Sequence, residues 1–423
     1  MKEIKIKSAN ESIYTFNTST NLPVYMWVNK DKNNVHLSLT IKYGSAGSNF
    51  KCNNSKYTVP TGTAHYLEHI KFHLKDREAS DIFYDLGCDS NAYTSINETT
   101  FEVFANDNIY DAAKVLLNFV YDNYFTKKIV ENERGIILEE CNSYKNDPDY
   151  EFFYESTQNF LVKTTNRDPV IGYEKDIKKI SIDDVSLIHN FFYRPENMFM
   201  VITGNFDMEK MQKTITENEK DRAFKDIGKV EIVREKEPKG FLKDEFTLYD
   251  KNCVNTQGTY IVKCLEKDFK GYKKDEILVS LRALINSNFS IVSDFYENII
   301  QNNIATRFSC GVSYDDGVFG ITFNYSSSDP DKVVSLIEEQ FKNIKITKDD
   351  INRIIKIYET NSIMRYDNIY DVSAYIISSI VDNNSINENK YEILKKLTVK
   401  KVMDIFSHVD LNNRMIGVLK QKK

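Results

Sequence analysis

The chain has 423 residues, 41% hydrophobic and 28% charged, and Lys+Arg 56 against Asp+Glu 62 gives a formal net charge of −6. This composition excludes a wholly disordered or collagen-like chain, and the acidic balance argues against a general nucleic-acid binder. No run approaches the ~20 apolar residues that a membrane span needs, and the length suits two or three domains with their own cores.

In chain order, Met1-Lys-Glu-Ile-Lys-Ile-Lys has no apolar stretch behind its basic residues, so no secretory signal is expected. Ser12–Thr18, Pro23–Val28 and Val35–Tyr43 have strand content separated by Asn, Asp and Lys turns. Thr63–Leu74 and Ala79–Leu86 read as helices, and Ser90–Ser95 with Thr99–Ala105 predicts a hairpin around Ile96-Asn97-Glu98. Helical spacing returns over Asp111–Tyr121, Lys127–Tyr144 and Asp183–Phe192, before an apolar strand, Met198–Thr203, that stops at Gly204-Asn205. Glu217–Lys239 is charged, with few large apolar residues beyond Val230–Val233, and reads as a linker or surface excursion. The six cysteines (Cys52, Cys88, Cys141, Cys253, Cys264, Cys310) include no Cys-x-x-Cys pair. They read as reduced thiols of a cytoplasmic protein and argue against sulfur-bound zinc.

The second half repeats the first at an offset of about 217 residues. Val185-Ser-Leu-Ile before Tyr193-Arg-Pro-Glu-Asn-Met matches Val402-Met-Asp-Ile before Asp410-Leu-Asn-Asn-Arg-Met, each leading to an apolar strand. Ala113–Val120 likewise matches Lys332–Phe341. The order of elements predicts a duplicated α+β unit, with homologous domains 1–216 and 241–423 joined by a charged linker, 217–240.

The most informative segment is His65-Tyr-Leu-Glu68-His69-Ile-Lys-Phe-His73. At 100° per residue, His65, Glu68 and His69 share one sector of a helix, while Tyr66, Leu67, Ile70 and Leu74 occupy the other side and can pack on a sheet. Two imidazoles one turn apart can share a zinc ion, and a carboxylate beside them can take a proton from an attacking water. His73, a turn further on, is either an extra ligand or a supporting polar residue on the same face. A third protein ligand is needed, and the helix Lys127–Tyr144 offers Glu133, Glu139 and Glu140. Glu133 and Glu140 project within ~20° of each other on a face with Ile129, Ile136, Ile137 and Tyr144, which should be buried. A carboxylate there is costly unless it meets a cation, whereas Glu139 shares its side with Asn132, Gly135, Asn142 and Ser143. Geometry favours Glu140 as the ligand, with Glu133 in support.

His65-x-x-Glu68-His69 followed by Glu133-Arg-Gly-Ile-Ile-Leu-Glu-Glu140 resembles the pitrilysin/insulinase family of zinc peptidases. Further stretches match it: Tyr43-Gly-Ser-Ala-Gly, Gly87 with Asn91-Ala-Tyr-Thr-Ser95, Asp147-Pro148, and Tyr193-Arg-Pro-Glu-Asn197-Met198. The likeness is strong in the first half and weak in the second, and is nearest to the short bacterial members and the mitochondrial processing peptidase branch. It implies two homologous domains of mixed, largely antiparallel sheet covered by helices, and zinc held by His65, His69 and Glu140. It makes Glu68 the general base and gives Glu133 the place of the auxiliary glutamate. Two departures are visible: the interval from His69 to Glu140 is shortened between His73 and Cys88, and Cys88 stands where a second glycine is common.

The resemblance further implies that Asn91, Ala92, Tyr93 and Thr94 form an edge strand to which an extended peptide adds as another strand in an enclosed chamber. The second half lacks His-x-x-Glu-His near Leu281–Asn288, so no second zinc site is expected. Arg307 and Tyr314, seven apart, resemble the family's Arg/Tyr pair, whose hydrogen bonds would stabilise a tetrahedral intermediate. In two-domain members that pair comes from a partner chain, which implies a homodimer, or a heterodimer with a related chain. The expected function is a cytoplasmic zinc-dependent endopeptidase acting on short or unstructured peptides. The rival is a peptide-binding or assembly subunit whose paralogous chain shares or performs catalysis, against which the intact His65, Glu68, His69 and Glu140 set argues.

Overall fold

The computed structural model describes residues 1–386 and 388–422. The chain begins with β1 (Lys2–Ile6), β2 (Glu11–Asn17), β3 (Pro23–Val28), β4 (Val35–Ile41), β5 (Asn49–Cys52) and β6 (Ser55–Thr58). Helices α1 (Thr63–Lys71) and α2 (Ala79–Asp85) precede the hairpin β7 (Cys88–Thr94) and β8 (Thr99–Ala105). Then come α3 (Ile109–Tyr121), α4 (Lys127–Lys145), α5 (Pro148–Phe160), α6 (Glu174–Ile177), α7 (Ile182–Phe192), β9 (Met198–Gly204), α8 (Met208–Glu219) and β10 (Val230–Ile232). The next stretch holds β11 (Glu245–Asp250), β12 (Gln257–Leu265), α9 (Lys274–Phe289), α10 (Asp294–Gln301), β13 (Arg307–Asp315) and β14 (Val318–Ser326). The chain closes with α11 (Pro330–Lys342), α12 (Lys348–Met364), α13 (Ile369–Asn383), α14 (Asn389–Lys395), α15 (Val399–Phe406) and β15 (Arg414–Gln421). Each strand and helix expected between Ser12 and Thr203 is present, with ends shifted by three residues or fewer.

Two sheets carry the same run of five strands: β3-β9-β4-β8-β7 within a seven-stranded sheet that β1 and β2 extend, and β11-β15-β12-β14-β13. In both runs the first pairing is parallel and the others are antiparallel. This is a duplicated α+β fold with mixed, largely antiparallel sheets, as the element order predicts.

Packing divides the chain into two units that interleave in sequence. The first takes Met1–Asn142, Asp168–Arg234 and Asn361–Asn387; the second takes Ser143–Arg167, Glu235–Thr360 and Glu388–Lys423. Helices α5 and α13, which correspond across the repeat, are exchanged. In the first unit, Val35, Leu37, Leu39 and Ile41 of β4 face the core built with α1, α3 and α7. The opposite face of that sheet, with Trp27, Phe199 and Val201, is covered by Val372, Ile376 and Ile377 of α13. In the second unit, Phe160 of α5 packs with Ile261, Val318 and Met415 on one face of the sheet. The other face, with Val262, Phe319, Ile321 and Phe323, packs against α9 and α11.

The charged stretch 217–240 is more ordered than its composition suggests. Its β10 pairs antiparallel with β5, Ile232 opposite Phe50, to complete a three-stranded sheet β10-β5-β6. Further on, the Glu237 carboxylate accepts from the backbone N–H groups of Val162, Lys163 and Thr164 and meets Lys263 Nζ at 3.1 Å. Both side chains are almost wholly buried, at 2% and 0% exposure. All six cysteines are free thiols. Among the described residues, no helix is long and apolar enough to cross a membrane.

Candidate metal centre and active site

Helix α1 starts where two glycine backbones touch. Gly62 has φ +85°, and a Cβ on it would lie 2.3 Å from the Ile171 carbonyl oxygen; one on Gly172 would lie 2.5 Å from that of Thr61. Only residues without a side chain allow this approach. Thr61 Oγ1 donates to Asp176 at 2.8 Å and accepts from Tyr173 N–H at 3.2 Å, which fixes the approach to the helix. Tyr66, Leu67 and Ile70 are fully buried, as their helical side predicts, and the Tyr66 hydroxyl donates to the Val130 carbonyl of α4. That contact joins the helix of His65 and His69 to the helix of Glu133 and Glu140.

On the opposite side of α1 the polar groups converge. His65 Nε2 lies 3.8 Å and His69 Nε2 3.6 Å from Glu140 Oε2, and the two imidazole centroids are 4.6 Å apart. Among the described residues these three form the one group of at least three His, Cys, Asp or Glu side chains able to hold a metal, with donor atoms within 4.8 Å of one another. Glu139 is exposed, as the helical face predicts. That face is less buried than expected: Val130, Glu133, Ile137 and Cys141 are inside, but Ile136 is 55% exposed and Tyr144 is also exposed.

Glu133 Oε1 accepts from His69 Nδ1 at 2.9 Å, and Glu133 Oε2 meets His73 Nε2 at 3.1 Å. The first bond places the His69 proton on Nδ1 and leaves Nε2 free for a metal. Glu68 is buried, and Thr94 Oγ1 donates to its Oε2 at 2.9 Å. Burial raises the Glu68 carboxyl above its ordinary value, with the Thr94 hydrogen bond and nearby His69 opposing and Glu140 adding to the rise. Burial pushes His65 down to about 3, helped by the neighbouring His69, so its imidazole is neutral as ligation requires. For His69, burial acts downward, but the hydrogen bond to Glu133 and the Glu68, Glu133 and Glu140 charges outweigh it and raise the value. His65 Nδ1 is buried with no hydrogen-bond partner among the described residues.

The donor set fits zinc. Two imidazole nitrogens and a carboxylate oxygen at about 2.0–2.2 Å from a tetrahedral ion would stand about 3.3–3.6 Å apart, and the two nitrogen–oxygen spacings here, 3.8 and 3.6 Å, lie within a few tenths of an ångström of that. Three protein ligands leave a fourth position open, the catalytic rather than the structural pattern.

Residues 25–172 match the family described as insulinase (peptidase family M16), and residues 179–358 match the peptidase M16 inactive domain. The chain belongs to the pitrilysin/insulinase family. It is 26% identical to an uncharacterized zinc protease of Bacillus subtilis (strain 168) over 95% of this chain and 99% of that one. It is 20% identical to the beta subunit of the mitochondrial-processing peptidase of Dictyostelium discoideum, over 86% of this chain and 82% of the other. The fold matches a crystal structure of an M16-like peptidase from Alicyclobacillus acidocaldarius, with a TM-score of 0.89 at 19% identity over 97% and 98% of the two chains.

The other stretches that mark this M16 chain have local reasons. A Cβ on Gly44 would lie 2.4 Å from the Ser95 carbonyl oxygen, because Ser45 and Ala46 donate their N–H groups to Ser95 and Ile96 at the tip of the β7–β8 hairpin. Asp147 caps α5 with Pro148 in its first turn, and Asn197 ties Phe192 and Lys42 together before β9. Strand β7 is the edge of its sheet. Ala92 packs on the core and Thr94 reaches Glu68, so these two face α1, while alternation turns Asn91 and Tyr93 to the other face.

The Arg/Tyr pair departs from the expectation that both residues hold one intermediate. Arg307 and Tyr314 lie on β13, the edge of the second unit's sheet, and the strand pairs without a break from Arg307 to Asp315. Seven residues of strand span about 23 Å, and an odd spacing puts the two side chains on opposite faces. Tyr314 packs on Phe319 and donates to Glu266 at 2.7 Å; Arg307 is exposed and, among the described residues, has no ion-pair partner. One oxyanion cannot receive both groups. Sequence reasoning also left out the Gly62–Gly172 contact, the Thr94–Glu68 hydrogen bond and Glu78, whose carboxylate meets His73 at 2.6 Å. Spacing offered one hint: His65, His69 and His73 recur every fourth residue.

Proposed function

We propose that this chain is a zinc-dependent endopeptidase that hydrolyses short or unstructured peptides bound as an added strand along β7. The observation that carries the reading is the convergence of His65 Nε2, His69 Nε2 and Glu140 Oε2 beside the buried Glu68 carboxylate. Zinc, when bound by those three side chains, would acidify a water and polarise the scissile carbonyl. Glu68 would take the proton of the attacking water and deliver it to the leaving amine, a role that a carboxyl raised towards neutrality by burial performs better than an ordinary one. Glu133 would hold His69 in the ligating tautomer. The open edge of β7 would bind main-chain groups whatever the side chains, which suits unfolded substrates.

Arg307 and Tyr314 would touch separate positions along an extended peptide, supplied to this site by a partner chain in a homodimer or in a heterodimer with a related chain. The complete donor set supports this reading over that of a peptide-holding subunit without catalysis. Free thiols at all six cysteines are consistent with a cytoplasmic enzyme.

Glu68→Gln keeps the hydrogen bond to Thr94 but cannot accept a proton. It should retain zinc while lowering peptide hydrolysis by about 10²–10⁴-fold, scored by mass spectrometry of products from a mixed peptide pool with and without chelator. Full turnover by the zinc-loaded variant would reject the role of Glu68.

A further inference from the structure

A chain of hydrogen bonds extends outward from the metal-facing histidines. His69 Nδ1 meets Glu133 Oε1 at 2.9 Å, Glu133 Oε2 meets His73 Nε2 at 3.1 Å, and His73 Nδ1 meets Glu78 Oε1 at 2.6 Å. The turn after α1 builds this line. His73 and Glu78 face each other across an isolated antiparallel bridge, Leu74 N–H donates to the Arg77 carbonyl at 3.1 Å, and Ala79 N–H donates to the Phe72 carbonyl at 2.8 Å.

Ionised carboxylates only accept hydrogen bonds. His73, with a carboxylate on each nitrogen, therefore donates from both and is an imidazolium. The Glu133 side chain is 8% exposed, and its two oxygens are used by two different imidazoles. It stands seven residues before Glu140 on the same side of α4, with its carboxylate turned to His69 and His73 and not into the group of metal donors.

We infer that His73 and Glu78 form a positioning pair that pins Glu133, and through it holds His69 with Nε2 turned to the metal. The pair rests on the zinc-peptidase reading but adds to it two residues that touch neither metal nor substrate. His73 supplies the second donor that a buried carboxylate requires, and Glu78 holds His73 charged and aimed. Partners of this outer kind change metal affinity by about 10–100-fold when removed.

The test is zinc affinity by competition with a chromophoric chelator, together with kcat and KM on one peptide, for the full-length wild type, His73→Ala, His73→Gln and Glu78→Ala. His73→Ala should weaken zinc at least tenfold and lower kcat at saturating zinc with little change in KM. His73→Gln, whose amide can donate to Glu133 from the place of Nε2, should restore zinc affinity to within about threefold of wild type. Glu78 is 43% exposed, so Glu78→Ala leaves the core intact and should weaken zinc several-fold even if His73→Ala does not fold. Unchanged zinc affinity in His73→Ala or Glu78→Ala, or a Gln variant as weak as the Ala variant, would overturn the positioning role while leaving the active-site reading in place. A wild type that takes up no zinc would instead overturn the active-site reading, and this inference with it.

Discussion

The two units build the same five-strand order and put different chemistry on it. Where α1 carries His65, Glu68 and His69, the offset positions of α9 carry Arg282, Ile285 and Asn286; where α4 carries Glu140, α12 carries Ile357. Arg282 Nε donates to the Val312 carbonyl of the edge strand β13 at 2.9 Å, so in the second unit the position of a metal-facing imidazole serves to brace the sheet edge. Buried charge follows the same division. In the first unit, His65, His69 and Glu140 bring their donor atoms together, while Glu133 is taken up by His69 and His73. In the second, Lys263 and Glu237 neutralise each other, with the Phe160 and Gly240 carbonyls taking the remaining ammonium protons. A duplicated scaffold thus separates a site from a support by substitution at a few positions, without a change in topology.

The comparison predicts that charge removed from the second unit costs stability and not metal. Glu237→Ala leaves Lys263 buried without its carboxylate, and breaking a buried pair in this way costs about 3–5 kcal/mol. The loss should appear in denaturant unfolding with zinc stoichiometry unchanged; loss of zinc in a folded Glu237→Ala protein would break the division between units. Burial works to raise the Glu237 carboxyl, but the backbone N–H groups of Val162, Thr164 and Lys163 and the Lys263 charge outweigh it and hold the group below its ordinary 4.5. A depressed folded value means that its stabilisation is complete above about 4.5 and is lost as pH falls through the folded value. The acid limb of the stability curve should therefore flatten in the variant over that window, and an unchanged limb would remove Glu237 from the account. A smaller effect is expected at Arg282. Arg282→Ala removes one charge-assisted hydrogen bond to β13 and should lower stability by about 1.5–3 kcal/mol, again without altering zinc content. A thermal melt at wild-type temperature would show that the brace contributes nothing.

Much of the site is legible in the sequence because the information is local. His65, Glu68 and His69 are placed by the helical period alone, and Glu140 is separated from Glu139 by the face it shares with Glu133. The same local reading overestimates burial at Ile136, since periodicity reports a side of a helix and not what lies against it. The polar face of β4 shows the larger limit. His36, Ser38 and Thr40 alternate with apolar residues as in a strand open to water on one side, yet all three are fully buried. The other side of that sheet is covered by α13, which arrives more than 300 residues later. An exchange of helices between halves of a repeat leaves no mark in either half. Strand β10 is hidden for another reason: Val230–Ile232 is three residues long within a charged stretch, and only its pairing with β5 identifies it. The pairing of His73 with Glu78 depends on turn geometry, and the separation of Arg307 from Tyr314 on the continuity of a strand, neither of which spacing alone reports.

The proposed activity depends on one zinc ion held jointly from two helices. Zinc content per chain, measured by elemental analysis after equilibration with the metal and gel filtration, tests this most directly on wild type, Glu139→Ala and Glu140→Ala. One zinc per chain is expected in the wild type and in Glu139→Ala, and essentially none in Glu140→Ala. A full zinc equivalent in Glu140→Ala, or none in the wild type, would contradict the assignment.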